Sequence, residues 1–368
     1  MVRDAARTRN PRVLRSLLSP AVRGFILRQG RSDVVDMPLR FNAHFDFQYK
    51  RDRADLGKLY TAAKRDQWDA DKLAWNTHVD PDNAETPLIG EELFPLAGWG
   101  PYDSLSAREK RVQIHAMLSW LLSQFLHGEQ GALFASAQVT EAVPWTDGML
   151  YGATQVVDEA RHVEVFHRYV TEKLEKLYQI DDNLFVVIDS LMRDSRWDMK
   201  FLGMQIMVEG LALGAFGAIR QSTTEPLLRE LLRFVITDEA RHVHYGVLAL
   251  EGPYRELSEP ERREREDWAF EVSLLLRNRF LAHELRDEFW GHAISRSEWN
   301  RRVLGSELMR RFRSKMFRRI VPNLNRIGLL TPRVRPFYEA AGLLEFASDK
   351  ASPDISVTEL LGDTPTPT

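Results

Sequence analysis

Apolar residues recur along this chain at three- and four-residue intervals, while two-residue alternation is scarce, so the pattern predicts helices and almost no strand. The longest such run begins at Ser106, which with Glu109 has the spacing of a capping box, and extends to about Val139. Pro144 and Asp147 open the next, over roughly 147–178. A short helix is expected at 181–194, and long ones at about 196–221 and 225–250, the last closed by Glu251-Gly252-Pro253. Ser258-x-x-Glu261 caps another through about Ala282, and helical pattern continues to about Ile327. Between Phe41 and Thr77, Leu56, Leu59, Tyr60, Ala63, Trp68, Leu73 and Trp75 suggest one or two further helices. Residues 80–104 hold Pro81, Pro87, Pro95 and Pro101 with three glycines among them, and read as a loop. The fold class is all-α.

The two ends differ from the middle. Residues 1–31 carry eight Arg and one acid, Asp4, with Leu14, Leu18, Val22 and Phe25 at helical spacing broken by Pro20. Such a segment suits partner docking, a membrane surface, a presequence or a solvated extension. The last twenty or so residues are mostly polar and read as a mobile tail. The organisation expected is a basic extension over 1–40, a helical domain over 41–347 and a tail over 348–368.

Within the helical region two hexapeptides are identical: Asp-Glu-Ala-Arg-His-Val at 158–163 and again at 238–243. Each supplies Glu-x-x-His, as Glu159 with His162 and Glu239 with His242. At i and i+3 on a helix, both side chains project from one face a turn apart and reach a common metal. Two lone carboxylates, Glu129 and Glu209, sit inside apolar helical runs where an unpaired charge is costly to bury. The offsets 129 to 209, 159 to 239 and 162 to 242 are each 80 residues, so the chain repeats a helix pair.

Glu, Glu-x-x-His, Glu, Glu-x-x-His on four helices is the donor set of a di-iron or di-manganese carboxylate bundle. Four carboxylates neutralise two divalent cations, and one imidazole per metal leaves positions open for oxygen. Glu159 and Glu239 are expected to bridge the ions, with Glu129 and Glu209 terminal. Asp158 and Asp238 are natural acceptors for the second N–H of each ligating histidine, with Arg161 and Arg241 balancing their charge.

Glu129, Asp158-Glu159-x-Arg161-His162, Glu209 and Asp238-Glu239-x-Arg241-His242 together resemble the ferritin-like di-iron oxygenase superfamily. The Asp-Glu-x-Arg-His form is most similar to hydroxylase subunits of bacterial multicomponent monooxygenases and to coenzyme-A-thioester epoxidases. The stretch from Lys58 to Asp69, with Gln67 and Trp68, is similar to the leading helix of such oxygenases. The ligand resemblance covers about residues 105–250, roughly 40% of the chain. It implies a ferritin-like four-helix bundle with additional N- and C-terminal helices, holding two iron ions, with manganese possible, and using O2 as co-substrate. Three positions depart from relatives in the superfamily: Leu213 replaces the Thr of the hydroxylases, Phe166 the radical Tyr of the ribonucleotide reductase small subunit, and Val235 the extra His of arylamine N-oxygenases.

Around these ligands, Ala132, Leu133, Phe166, Ala212, Leu213 and Phe216 form an apolar wall or plain bundle core. Gly128, Gly131, Gly210 and Gly214 make room for substrate, for a π-bulge or for close helix packing. His127, His167 and His244 are secondary candidates as ligands, and Tyr151 and Tyr245 as hydrogen-bonding or redox groups. Zero cysteines exclude disulfides, thiolate metal sites and thiolate-held iron–sulfur clusters, so electrons must come from a separate reductase or other donor. The Arg-rich stretch 310–319 is a place for an acidic reductase or a phosphopantetheine carrier to dock, or a solvated helix face. A net charge of −3 gives no case for a nucleic-acid partner. No unbroken apolar run of membrane-spanning length occurs. The expectation is a cytoplasmic oxygenase that hydroxylates, epoxidises or similarly oxidises a small organic or carrier-bound substrate, with a homodimer as a candidate assembly. A desaturase or oxidase without oxygen insertion, or an iron-handling protein, are the alternatives.

Overall fold

The computed structural model describes residues 9–37, 43, 45–83, 88–91 and 94–362, and among them the chain is helical with no strand. Residues 1–8, Phe41, Pro87, Pro365, Pro367 and the side chains of Arg311 and Arg313 lie outside the described part. The principal helices are α1 (Pro11–Ala21), α2 (Ala54–Arg65), α3 (Ala107–Ala142), α4 (Thr146–Arg168), α5 (Asp182–Arg193), α6 (Trp197–Ser222), α7 (Pro226–Glu251), α8 (Glu259–Asn278), α9 (Arg296–Gly305) and α10 (Glu307–Arg326).

Local chemistry sets their starts. Ser106 Oγ accepts from Glu109 N at 3.3 Å, and the Glu109 carboxylate accepts from Ser106 N at 2.8 Å, the reciprocal capping box that opens α3. Pro226 occupies the first turn of α7, where the carboxylate of Glu225 accepts from Leu227 N at 2.8 Å and Leu228 N at 2.6 Å. Asp181 does the same for α5, accepting from Asn183 N at 2.9 Å and Leu184 N at 3.3 Å. Short links at 143–145 and 223–225 fold α3 back on α4 and α6 back on α7. The two hairpins then face each other, α3 against α6 and α4 against α7, closing a four-helix bundle. Helix α2 lies across α4 and α7, α8 across α5 and α6, and α10 along α6.

Helix α6 is enclosed on several sides. It is long and apolar enough to cross a membrane by length and composition, yet 89% of its most apolar window is buried inside the bundle, which makes it a core helix. Its middle, Leu202–Glu209, is π-helical and ends on Glu209. Gly214 follows one turn on, and a Cβ there would meet the Lys315 carbonyl oxygen at 2.5 Å and Met316 Cα at 2.8 Å on α10. Since backbone cannot rotate away as a side chain does, Gly214→Ala is expected to push α10 off α6 at a cost of about 1–3 kcal/mol. A denaturant midpoint unchanged from wild type would show that the two helices are not so tightly seated.

Three sequence expectations change. The pattern over 147–178 ends early: α4 passes into a π turn at Tyr169–Lys173, and Glu175 takes a left-handed φ of 49°. Pro20 does not break α1, which runs through it into a π turn at Val22–Ile26 and lies on α5 and α8. Val13 is buried there, and Asn10 Nδ2 donates to Asp267 Oδ2 at 2.9 Å. At the other end, where polar composition suggests a mobile tail, residues 351–362 fold back on α6, α7 and α10. Arg220 donates to the Leu361 carbonyl at 2.6 Å, Asn323 Nδ2 to Ser352 Oγ at 3.0 Å, and Leu360 is buried.

Candidate metal centre

The i, i+3 spacing places Glu159 and His162 on the inner face of α4, and Glu239 and His242 on that of α7. Glu129 reaches in from α3 and Glu209 from the end of the π stretch in α6. All six side chains are buried. One atom from each of Glu129, Glu159, His162 and Glu239 falls within a 4.8 Å cluster, as does one from each of Glu159, Glu209 and His242.

Glu159 belongs to both clusters. Its Oε2 lies 3.3 Å from His162 Nδ1 and its Oε1 3.1 Å from His242 Nδ1. Glu239 repeats the arrangement, with Oε1 3.2 Å from His162 Nδ1 and Oε2 3.6 Å from His242 Nδ1. Each of these two carboxylates thus turns one oxygen toward each imidazole.

The other ring nitrogens are taken up crosswise. His162 Nε2 donates to Asp238 Oδ2 at 3.2 Å, and His242 Nε2 donates to Asp158 Oδ2 at 3.2 Å. Each hexapeptide therefore holds the histidine of the other. Because a carboxylate only accepts, this fixes a proton on each Nε2, so Nδ1, which faces the cage carboxylates, is the nitrogen a metal would take on displacing the proton it otherwise shares with them. Arg161 pairs with Asp158 and reaches Asp238 at 3.3 Å; Arg241 pairs with Asp238. Just beyond α2, Gln67 Nε2 donates to Asp158 Oδ1 at 3.1 Å and Trp68 Nε1 to Asp238 Oδ2 at 2.7 Å.

The cage is electrostatically incomplete as protein alone. Glu159 Oε2, Glu209 Oε2, both oxygens of Glu239 and Nδ1 of His242 are sealed from solvent without a hydrogen-bond partner. Burial, then the charge of Glu239, raises the Glu129 carboxyl well above the usual range, and burial with the Glu159 and Glu239 charges does the same to Glu209. Burial opposes charge on His162, but the bonds to Asp238 and the surrounding glutamates outweigh it and raise its pKa; His242 is raised in the same way, chiefly by Glu159. A sealed cage of four carboxylates and two imidazoles with unpartnered oxygens fits two divalent metals, with hard oxygen donors and one nitrogen apiece.

Sequence reasoning missed Gln155. One turn before Glu159, its Nε2 donates to Glu159 Oε1 at 3.1 Å and Glu209 Oε1 at 3.0 Å, while its Oε1 accepts from Gln205 at 3.3 Å. The available signal was its i−4 position relative to a motif glutamate. Among the secondary candidates, His127 bonds the Tyr178 carbonyl at 2.9 Å, His167 is exposed, and neither they nor His244 enter the clusters. Tyr245 donates to the Gly148 carbonyl at 2.8 Å and meets Tyr151 edge-on at 4.5 Å. Phe166 packs with Phe125 and Phe216, and Leu213 is buried.

Four helices in two facing hairpins form a ferritin-like bundle, and the six donors at its centre could hold two metal ions. No family model matches the chain, and no curated protein does. Among solved structures, it is similar to a single-substitution variant of an R2-like ligand-binding oxidase with anaerobically reconstituted Mn/Fe cofactor, at 18% identity and a TM-score of 0.47, covering 74% of this chain and 98% of that one. It is likewise similar to an R2-like ligand-binding oxidase with aerobically reconstituted metal cofactor after photoconversion, at 17% identity and a TM-score of 0.45, covering 74% and 97%.

Proposed function

We propose that this chain is an O2-dependent non-haem di-iron oxidoreductase, with manganese able to occupy the site, that oxidises an organic substrate. The observation that carries the reading is the cage itself: four carboxylates and two imidazoles, oriented by crossed His–Asp bonds and sealed among apolar helices. Glu159 and Glu239 would bridge the ions, with Glu129 and His162 completing one coordination set and Glu209 and His242 the other. When bound, such a pair of metals supplies two-electron chemistry toward O2. The chain's own contributions are charge balance, fixed imidazole tautomers and exclusion of water by Phe125, Phe166, Leu213 and Phe216. Gln155 holds Glu159 and Glu209 at a fixed spacing.

Oxidation without oxygen insertion has its own support. The residue one turn after Glu209 is Leu213, so no side-chain hydroxyl stands there to deliver a proton, unlike the hydroxylases that the Asp-Glu-x-Arg-His motif resembles. Iron-loaded, reduced protein exposed to ¹⁸O2 with a substrate library separates these outcomes. Labelled product indicates an oxygenase, unlabelled dehydrogenated product an oxidase or desaturase. Uptake of many irons per chain with no organic product overturns the proposal in favour of iron handling.

A further inference from the structure

Five arginines are buried among the described residues, and four donate to a partner: Arg161 to Asp158, Arg241 to Asp238, Arg265 to Asp198 at 3.0 Å, and Arg220 to the Leu361 carbonyl. Arg279 is the exception. It is 2% exposed, yet donates no hydrogen bond among the described residues; Nε of Arg161, Arg220 and Arg241 also lacks an acceptor, but each of those guanidiniums donates through its other nitrogens. Burying a guanidinium without an acceptor is costly, and natural folds seldom carry such a group idle.

Its placement is specific. Arg279 opens the 3-10 turn Arg279–Leu281 at the end of α8, locked by Ala282 in a left-handed conformation at φ 46°. The guanidinium lies 5.8 Å from the ring centre of Phe125 and 4.9 Å from that of Phe280. Phe125 stands one turn before Glu129 on α3, meets Phe216 edge-on at 4.6 Å and approaches Phe166 at 6.4 Å; Phe166 stands one turn after His162. A continuous aromatic wall therefore runs from the guanidinium to the residues beside the metal cage. The carboxylates whose field reaches Arg279 are Asp181 and Glu129. Asp181 is committed to capping α5, and Glu129 belongs to the cage.

We propose that Arg279 anchors the carboxylate of an organic acid whose apolar body lies along Phe125, Phe166 and Phe216 toward the cage. A carboxylate matches the planar fork of a guanidinium, and a single negative charge matches a single cation. A phosphate dianion would face Asp181 and Glu129 without a second cation to balance it. A thioester would bring no charge to the anchor, so the free acid is the species recognised. Calling this acid the substrate rests on the oxidoreductase reading above; its binding does not.

The test compares hydrocinnamate with hydrocinnamyl alcohol, and octanoate with octanol, by calorimetry on the iron-loaded protein under argon. The acids should bind wild type more tightly than the alcohols. Arg279→Met should weaken acid binding on the order of tenfold to a hundredfold and leave the alcohols unchanged. It should not lower the melting temperature, because it removes an unpaired buried cation. Arg279→Lys, which keeps the charge but loses the fork, should fall between. Equal acid affinity in Arg279→Met overturns the anchor and points to carboxylates ligating the metals. Acids binding no better than alcohols to wild type overturns it whether or not either variant folds. Arg279-dependent binding of an acid that O2 never oxidises would keep the anchor and reject the oxidoreductase reading; oxidation of a neutral substrate indifferent to Arg279 would do the reverse.

Discussion

Alanine at Glu159 should empty both metal positions, whereas alanine at Glu129 or Glu209 should empty one. The difference follows from geometry. Glu159 turns one oxygen to each imidazole and belongs to both donor clusters, while Glu129 and Glu209 each belong to one. Glu239 spans the two imidazoles in the same way, and Glu239→Ala should behave like Glu159→Ala. His162→Ala should lower occupancy and abolish the O2-dependent spectral change. Asp238→Asn loosens His162 from across the bundle, and its expected effect is a smaller loss of metal affinity, roughly 10–100-fold. Metal per chain, measured by elemental mass spectrometry after desalting, decides the matter. Two ions retained by Glu159→Ala would remove it as a bridge.

A chain reduced once and then exposed to O2 should yield about one product or fewer, and many products when a donor system is supplied continuously. The sequence has no cysteine for an iron–sulfur cluster, and the described chain has no strand, hence no strand–turn–helix for a flavin or nicotinamide dinucleotide. On the oxygenase reading proposed above, the two electrons per O2 come from a separate donor. On α10, Arg318 pairs with Asp349 at 2.8 Å and Lys315 donates to Gln221 at 2.6 Å, so part of the basic stretch 310–319 is engaged within the chain. If Arg318 docks an acidic donor, Arg318→Glu should slow continuous turnover while leaving the single turnover intact. Repeated turnover without any donor would show that electrons come from the substrate, as in an oxidase.

The bundle was legible because helical periodicity is local and because the donor set is written twice. Glu129, Glu159 and His162 reappear 80 residues later as Glu209, Glu239 and His242, and burial of all six follows from the apolar runs around them. The crossing of the two hexapeptides was not legible. Asp158 looks like a partner for its own His162 until the hairpins face each other, and then it lies against His242. Arg279 gave no sign either. An arginine at a helix C-terminus is ordinary, since it favours the helix dipole, and only tertiary burial makes this one unusual. Residues 351–362 misled through composition: polar residues dominate, but Leu360 is buried and Ser352 accepts from Asn323. Pro20 misled for a different reason, since a π turn directly after it absorbs the change in backbone.

Gln155 has one further consequence. Shifted by the 80-residue repeat, its counterpart is Val235, which is buried and has no polar side-chain atom. The duplication is therefore broken beside the cage. An amide draws electron density from Glu209 and Glu159, and the equivalent place in the other half offers only hydrocarbon. Of the two carboxylates that belong to one donor cluster each, Glu209 therefore accepts from an amide and Glu129, among the described residues, does not. Gln205, the partner of Gln155, has Phe125 as its counterpart in the repeat, so the amide pair stands on one side of the cage alone.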